Sequence, residues 1–161
     1  MVPDDAWARW EGPDGFELSL ALGDYEFPEV SDSQNPDSQW LQVHLRFCGP
    51  GIDQRFSDPC LTLTDAASLA IWWESLTVTA PGALPEPAIT FLDFAEPQLA
   101  FGLRSSEAEG IRLAIVSPQP DDDTRIPEAW PDPLEVLVPR EMLAANAAAW
   151  VRSINALAPR A

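Results

Sequence analysis

The sequence predicts an α+β fold in which two main helices pack on an antiparallel, curved β-sheet of about seven strands. Two observations carry this prediction. Apolar residues alternate at period two in several short segments, and in two longer segments they recur at spacings of three and four. One helix lies between strands and the other is C-terminal. At 161 residues, the chain is expected to form a single domain with a substantial core.

The first half of the chain contains the clearest strand. Residues 1–15 are predicted to be an acidic lead-in segment, followed by a strand at 16–22, where Gly23 ends the alternation or admits a bulge. Residues 38–47 alternate without a break and form the strand around which the rest is organised. After a Gly-Pro-Gly turn, a weaker strand is predicted at 52–56.

The second half begins with a helix whose start is marked by a short capping box at Thr62 and Asp65, although Thr64 is an equal candidate for the cap. The apolar face of this helix contains Ala66, Leu69, Ala70, Trp73 and Leu76. Four further strands are predicted at 89–94, 99–103, 111–115 and 134–138, the middle two as a hairpin. The second helix covers residues 141–157.

The composition is strongly acidic. The formal net charge is -17, from 26 acidic and 9 basic residues, and every basic residue is Arg. Such a field repels nucleic acid and anionic membranes, because phosphate contacts need a cationic surface, and it attracts a basic protein. A host whose proteins are generally acid-rich and Lys-poor would give the same composition. The acidity is therefore either a binding feature or a property of the source.

Two turn-rich acidic segments are the candidate partner-binding surfaces. The first, at 23–37, contains no basic residue, and the second, a long Pro-rich loop at 117–133, contains only Arg125. The candidate residues are Asp24, Glu26, Glu29, Asp32, Asp37, Asp121, Asp122, Asp123, Glu128 and Asp132. Three nearby aromatic residues are interpreted as structural, namely Tyr25, Phe27 and Trp40.

No cofactor, metal site or catalytic site is predicted. His44 is the only histidine, and on an extended strand Cys48 lies about 13 Å from it, too far to share a zinc ion. Gly-rich phosphate loops and the GxSxG motif are absent. Cys60 is interpreted as a small buried residue, and a hydrolase using Cys60 or a carboxylate pair stays as an alternative.

The sequence also bears on location. Its first residues lack the basic and apolar regions of a signal peptide, and no apolar run is long enough to span a bilayer. Two cysteines are too few for a disulfide framework. These features predict a cytoplasmic protein, and they leave its oligomeric state open.

Four short motifs occur in a characteristic order. They are Gly-Asp-Tyr-Glu-Phe-Pro at 23–28, Asp-Ser-Gln-Trp-Leu-Gln-Val at 37–43, Asp-Pro-Cys-Leu-Thr at 58–62 before a Trp-bearing helix, and Phe-Ala-Glu-Pro-Gln-Leu-Ala-Phe at 94–101. From about Phe16 to the final helix, the chain resembles the WapI-type immunity proteins. That resemblance implies a small cytoplasmic protein without catalytic activity, which neutralises a toxin domain delivered between competing bacteria.

For the protein after which the WapI-type family is named, the resemblance implies a toxin that is a nuclease acting on transfer RNA. The resemblance carries no inhibitory residues over to particular positions. A nuclease that grips RNA presents a cationic surface, so acidic loops would mimic phosphate and speed association. The predicted function is therefore stoichiometric neutralisation of a cognate toxin that has a basic surface. The alternative is an acidic protein-binding module with a different partner.

Overall fold

The computed structural model describes residues 2, 7–12, 15–82, 90–92, 94, 99–116 and 133–157. The predicted α+β class, with antiparallel strands and two helices, is confirmed. In chain order the elements are β1 (Ala8–Glu11), β2 (Glu17–Tyr25), β3 (Trp40–Gly49), β4 (Ile52–Thr62), α1 (Leu63–Leu76), β5 (Thr90–Phe91), β6 (Ala100–Ser106), β7 (Ile111–Val116), β8 (Leu134–Val138) and α2 (Arg140–Ala156).

The strands are divided between two antiparallel sheets, whereas the sequence predicted one. Within the described residues, β1 to β4 form the first sheet and β5 to β8 form the second, each in sequence order. Helix α1 connects the two sheets, and α2 follows the last strand. Alternation of apolar residues identifies the two faces of a strand but not its hydrogen-bonded neighbours, so one sheet and two sheets give the same sequence pattern.

Strand β1 lies in the stretch that the sequence predicted only as a lead-in. Ala8 and Trp10 are buried, while Arg9 and Glu11 are exposed. An alternation of four residues is too short to identify a strand without its partner. Helix α2 covers the outer edge of β1, since the Arg9 amide donates to Asn146 Oδ1 at 2.7 Å and Asn146 Nδ2 donates to the Arg9 carbonyl at 2.6 Å.

Strands β3 and β4 form a long hairpin through Pro50 and Gly51. Gly51 has φ +76°, which glycine adopts without strain, and Pro50 precedes it as in a type II turn. Strand β4 continues to Thr62, although the sequence predicted that it would end at Phe56. Pro59 does not end it because β4 is an edge strand, where a proline costs no ladder hydrogen bond on its outer side.

Four aromatic side chains from different elements meet at the centre of the core. The Trp73 ring of α1 lies 4.3 Å from Trp10 of β1, 5.5 Å from Trp150 of α2 and 5.8 Å from Phe101 of β6, between ring centroids. All four are 0% exposed. Trp150 Nε1 donates to the Ala66 carbonyl at 2.9 Å. One cluster therefore joins both sheets to both helices.

Helix α1 begins at the predicted capping box. Thr62 Oγ1 accepts from the Asp65 amide at 3.1 Å, and Asp65 Oδ2 accepts from the Thr62 amide at 3.0 Å. We expect Thr62→Ala to lower the free energy of unfolding by about 1 kcal/mol, because the cap is lost. Urea denaturation measures this change. Thr64→Ala, two residues further on within the first turn, is the control, and an equal cost for both variants would contradict the role of the box.

Arg140, the first residue of α2, ties the end of α1 to the second sheet. Its guanidinium group donates to the Thr79 carbonyl at 2.5 Å and to Ser106 Oγ at 2.6 Å. Gly110 lies at the same junction, where a Cβ would stand 2.3 Å from the Val138 carbonyl oxygen. The absence of a side chain at Gly110 thus allows β7 to approach the start of α2.

Candidate protein-binding site

The first acidic segment runs between β2 and β3, on the surface. Asp24, Glu29, Asp32 and Asp37 are exposed, and Glu26 is half-buried. In the described part of the chain, every ion pair lies outside this segment. Among the described residues, therefore, no Arg lies within ion-pair distance of these carboxylates.

Side-chain hydrogen bonds fix the path of this acidic segment. Asp32 Oδ1 accepts from the amide two residues on at 2.9 Å, and Asn35 Oδ1 accepts from the Asp37 amide at 3.1 Å. Gln42 Nε2 of β3 donates to Glu26 Oε2. A segment that is already ordered loses less conformational entropy when it binds, so these contacts favour its use as a rigid surface.

The aromatic residues near the segment differ in exposure. Tyr25 is 8% exposed and pairs with Leu41 in the first sheet, and Trp40 is half-buried at the start of β3. Phe27 is 37% exposed. Tyr25 and Trp40 therefore pack against the protein, whereas the Phe27 ring adds apolar area to the surface that carries the acids.

The second acidic segment cannot be placed in the same way. Its five candidate residues lie outside the described residues and stay a sequence-based prediction: Asp121, Asp122, Asp123, Glu128 and Asp132.

A basic row crosses the outer face of the first sheet. Pairing of the four strands aligns Arg9, Ser19, Arg46 and Arg55, and we call this set the arginine row. Asp53 lies between two of its members, with Oδ1 3.3 Å from Arg46 Nε and Oδ2 3.6 Å from Arg55. The hydrogen bond from Arg46 lowers the pKa of Asp53, which keeps this carboxyl group ionised.

The next row along the strands contains His44 and Ser57. His44 Nδ1 lies 2.7 Å from Ser57 Oγ, and the His44 ring is 6.4 Å from the Trp7 ring. Burial lowers the pKa of His44, so its ring is neutral at pH 7. These side chains, the arginine row and the carboxylate-bearing Glu17 line a concavity of about 750 Å³. His44 stands out in the sequence as the only histidine, but the concavity is assembled from several strands and has no local sequence signal.

The relationship to known proteins is clear at the level of family. Residues 9–157 match the immunity protein WapI-like family, nearly the whole chain. The chain belongs to this family. No curated protein matches the chain. Among solved structures, the WapI-like chain is similar to the plant transcriptional regulator PBF-2, with 15% identity and a TM-score of 0.41, over 95% of this chain and 82% of that one. That distant likeness carries no implication for function.

Family membership confirms the predicted resemblance and supports the role of an immunity protein, which binds a cognate toxin. It points to a non-catalytic inhibitor. Within this WapI-like protein Cys60 is 0% exposed in the core, where a substrate cannot reach a nucleophile.

Among the described residues, no group of three or more His, Cys, Asp or Glu side chains could hold a metal ion, and no helix is long and apolar enough to cross a membrane.

Proposed function

We propose that this WapI-like immunity protein neutralises a toxin nuclease acting on RNA, by stoichiometric binding of its acidic segment at 24–37 to the cationic surface of the toxin. One observation carries the proposal. Four carboxylates in this segment, those of Asp24, Glu29, Asp32 and Asp37, are exposed on a stretch held in place by its own hydrogen bonds. The complex forms in the cytoplasm, where the RNA substrate lies.

Charge complementarity explains how such an inhibitor works. An RNA-cleaving enzyme needs a cationic groove to hold phosphate groups. Fixed carboxylates can occupy the same groove, and an opposite charge on the inhibitor raises the association rate to about 10⁸ M⁻¹s⁻¹ at low salt. Because bound carboxylates exclude the RNA backbone, inhibition needs no chemical step. One inhibitor then blocks one toxin, and titration of the toxin's RNA cleavage ends at equivalence.

We expect neutralisation of the four exposed acids, as Asp24→Asn, Glu29→Gln, Asp32→Asn and Asp37→Asn together, to slow association with the toxin domain at least about tenfold and to flatten its salt dependence. The amide side chains keep the shape, and Asn at position 32 can still accept the turn hydrogen bond. Stopped-flow measurements with the cognate toxin domain, at several salt concentrations, give the rates.

The matched control removes the same number of charges from exposed acids elsewhere on the molecule, namely Glu11, Glu74, Glu109 and Glu141, each changed to Gln. Equal slowing by both variants would show that only overall charge matters and would overturn the proposed surface. The same measurement on a variant with Asp121, Asp122 and Asp123 changed to Arg tests the second acidic segment. Unchanged rates there would remove that segment from the interface.

A further inference from the structure

We propose that β4 is a dimerisation edge, which pairs antiparallel with β4 of a second copy of this chain around a twofold axis at Gln54. The four-stranded first sheets of the two copies then form one continuous sheet of eight strands. This inference goes beyond the proposed function, because it concerns self-association and uses no residue of the acidic segment at 24–37.

The two edge strands of the first sheet differ in how they are covered. Helix α2 covers β1 through the hydrogen bonds of Asn146. Strand β4 is 11 residues long, and in the described part of the chain β3 is the only strand that pairs with it. No turn or loop among those residues bonds to the backbone of 52–58 either. Unpaired amides and carbonyls along an edge are a template for pairing with another strand.

The turn between β3 and β4 determines which backbone groups of β4 point outward. Gly49 and Ile52 flank a two-residue turn, so they form a hydrogen-bonded pair, and the two kinds of pair alternate from there along the hairpin. The amides and carbonyls of Asp53, Arg55 and Ser57 therefore point away from β3. These three residues are exposed, and they supply the backbone bonds for a further strand.

The charges on β4 select one register for two copies. Antiparallel pairing about Gln54 places Asp53 directly opposite Arg55 of the second copy, and symmetry repeats this pair on the other side of the axis. Opposite charges in directly opposed positions stabilise a sheet. An axis at either neighbouring residue would place Asp53 opposite Asp53, or Arg55 opposite Arg55, and like charges there are destabilising. The strand is thus complementary to itself, as a twofold interface requires.

The inner face of the same pairing is apolar. Ile52 lies opposite Phe56 of the second copy, and within one chain both side chains are only partly buried against the core. Their contact removes further apolar surface from water. Pro59 lies beyond the paired stretch, and its missing amide hydrogen restricts pairing to the half of β4 nearest the turn.

The acidity of the protein is compatible with this dimer because the acidic segments lie far from the axis. The segment at 24–37 precedes Trp40, which pairs with Thr62 at the other end of β4. The strand between Gln54 and Thr62 covers about 26 Å, and twofold symmetry sends the two segments in opposite directions. Salt screens exposed charges beyond about 8 Å, so the segments repel each other little and each can bind its own toxin.

Sedimentation equilibrium of the whole protein measures the association. An interface of a few paired residues belongs to the small, reversible class, so we expect a dissociation constant in the micromolar range. Asp53→Arg and Arg55→Asp each place like charges opposite one another, and each should weaken self-association at least about tenfold. An equimolar mixture of the two variants should associate again, because every opposed pair then joins opposite charges.

The matched controls are Glu74→Arg and Arg152→Asp, which make the same changes of charge at exposed positions on the two helices. Both should dimerise as the unaltered protein does. A monomer at every concentration up to millimolar would overturn the proposal. Equal weakening by the β4 variants and the controls, or a mixture that stays monomeric, would also overturn it. The measurement uses no toxin, so either failure leaves the proposed function intact.

A cross-linking experiment tests the register without changing a charge on the edge. Two copies of Gln54 face each other on the axis in a non-hydrogen-bonded pair, where side chains are close enough for a disulfide. Gln54→Cys, made together with Cys48→Ser, should therefore give a covalent dimer on mild oxidation. Asp58→Cys in the same background is the control and should stay monomeric, since position 58 does not meet its own copy. Equal cross-linking at both positions would contradict the register.

Discussion

Trp73→Ala is expected to lower the free energy of unfolding by about 4 kcal/mol, the largest effect of any single substitution considered for this protein. The Trp73 ring is 0% exposed and contacts aromatic rings from β1, β6 and α2. Its removal leaves a cavity where both sheets and both helices meet, which the surrounding rigid elements cannot close. Urea denaturation followed by circular dichroism measures the loss.

Trp72→Ala is the matched control for this experiment, because the same side chain is removed one residue earlier on the same helix. Trp72 is only half-buried at the edge of the core, so its loss should cost less than half as much. Trp73→Phe should also be mild. Among the described residues no acceptor reaches Trp73 Nε1, so the change removes a buried donor that makes no hydrogen bond. Equal costs for Trp72→Ala and Trp73→Ala would contradict the central position of Trp73.

Gly110→Ala is expected to lower the free energy of unfolding by about 3 kcal/mol. The new Cβ would stand 2.3 Å from the Val138 carbonyl oxygen and 3.2 Å from Pro139 Cα. These are backbone atoms at the start of α2, so relief requires the strand or the helix to move. Denaturation gives the total cost, and hydrogen exchange at β7 and β8 locates it.

The control for the glycine is Glu109→Ala, which changes an exposed residue in the same turn. It should alter stability by less than about 0.5 kcal/mol. If Gly110→Ala were as harmless as this control, the close approach of β7 to the end of β8 would not be a constraint on the fold.

Local sequence signals predicted the elements but not their arrangement. The capping box at Thr62 and the apolar stripe containing Trp73 and Leu76 located α1, because caps and stripes depend on residues a few positions apart. The bulge expected at Gly23 is present as a register shift between Leu22 and Tyr25. The division into two sheets depends on which consecutive strands pair, and a periodic pattern does not encode strand pairing.

The acidic segment and the arginine row differ in how much of each can be recognised in the sequence. The acidic segment at 24–37 is continuous in sequence, so the absence of a basic residue within it is visible in the sequence itself. The arginine row is assembled from four strands and was missed. One signal was available, since a two-residue turn at Pro50 and Gly51 places Arg46 opposite Arg55. Arg9 gave no such signal, because β1 was not recognised as a strand.

The reciprocal hydrogen bonds between Arg9 and Asn146 also bear on when the edge of β1 is covered during synthesis of the chain. These residues are 137 positions apart, so the edge of β1 stays uncovered until α2, which follows every described strand, has left the ribosome. An open strand edge is a template for pairing with other chains. Until α2 docks, the chain therefore carries an unpaired edge at β1, and Asn146 is the residue whose side chain closes it.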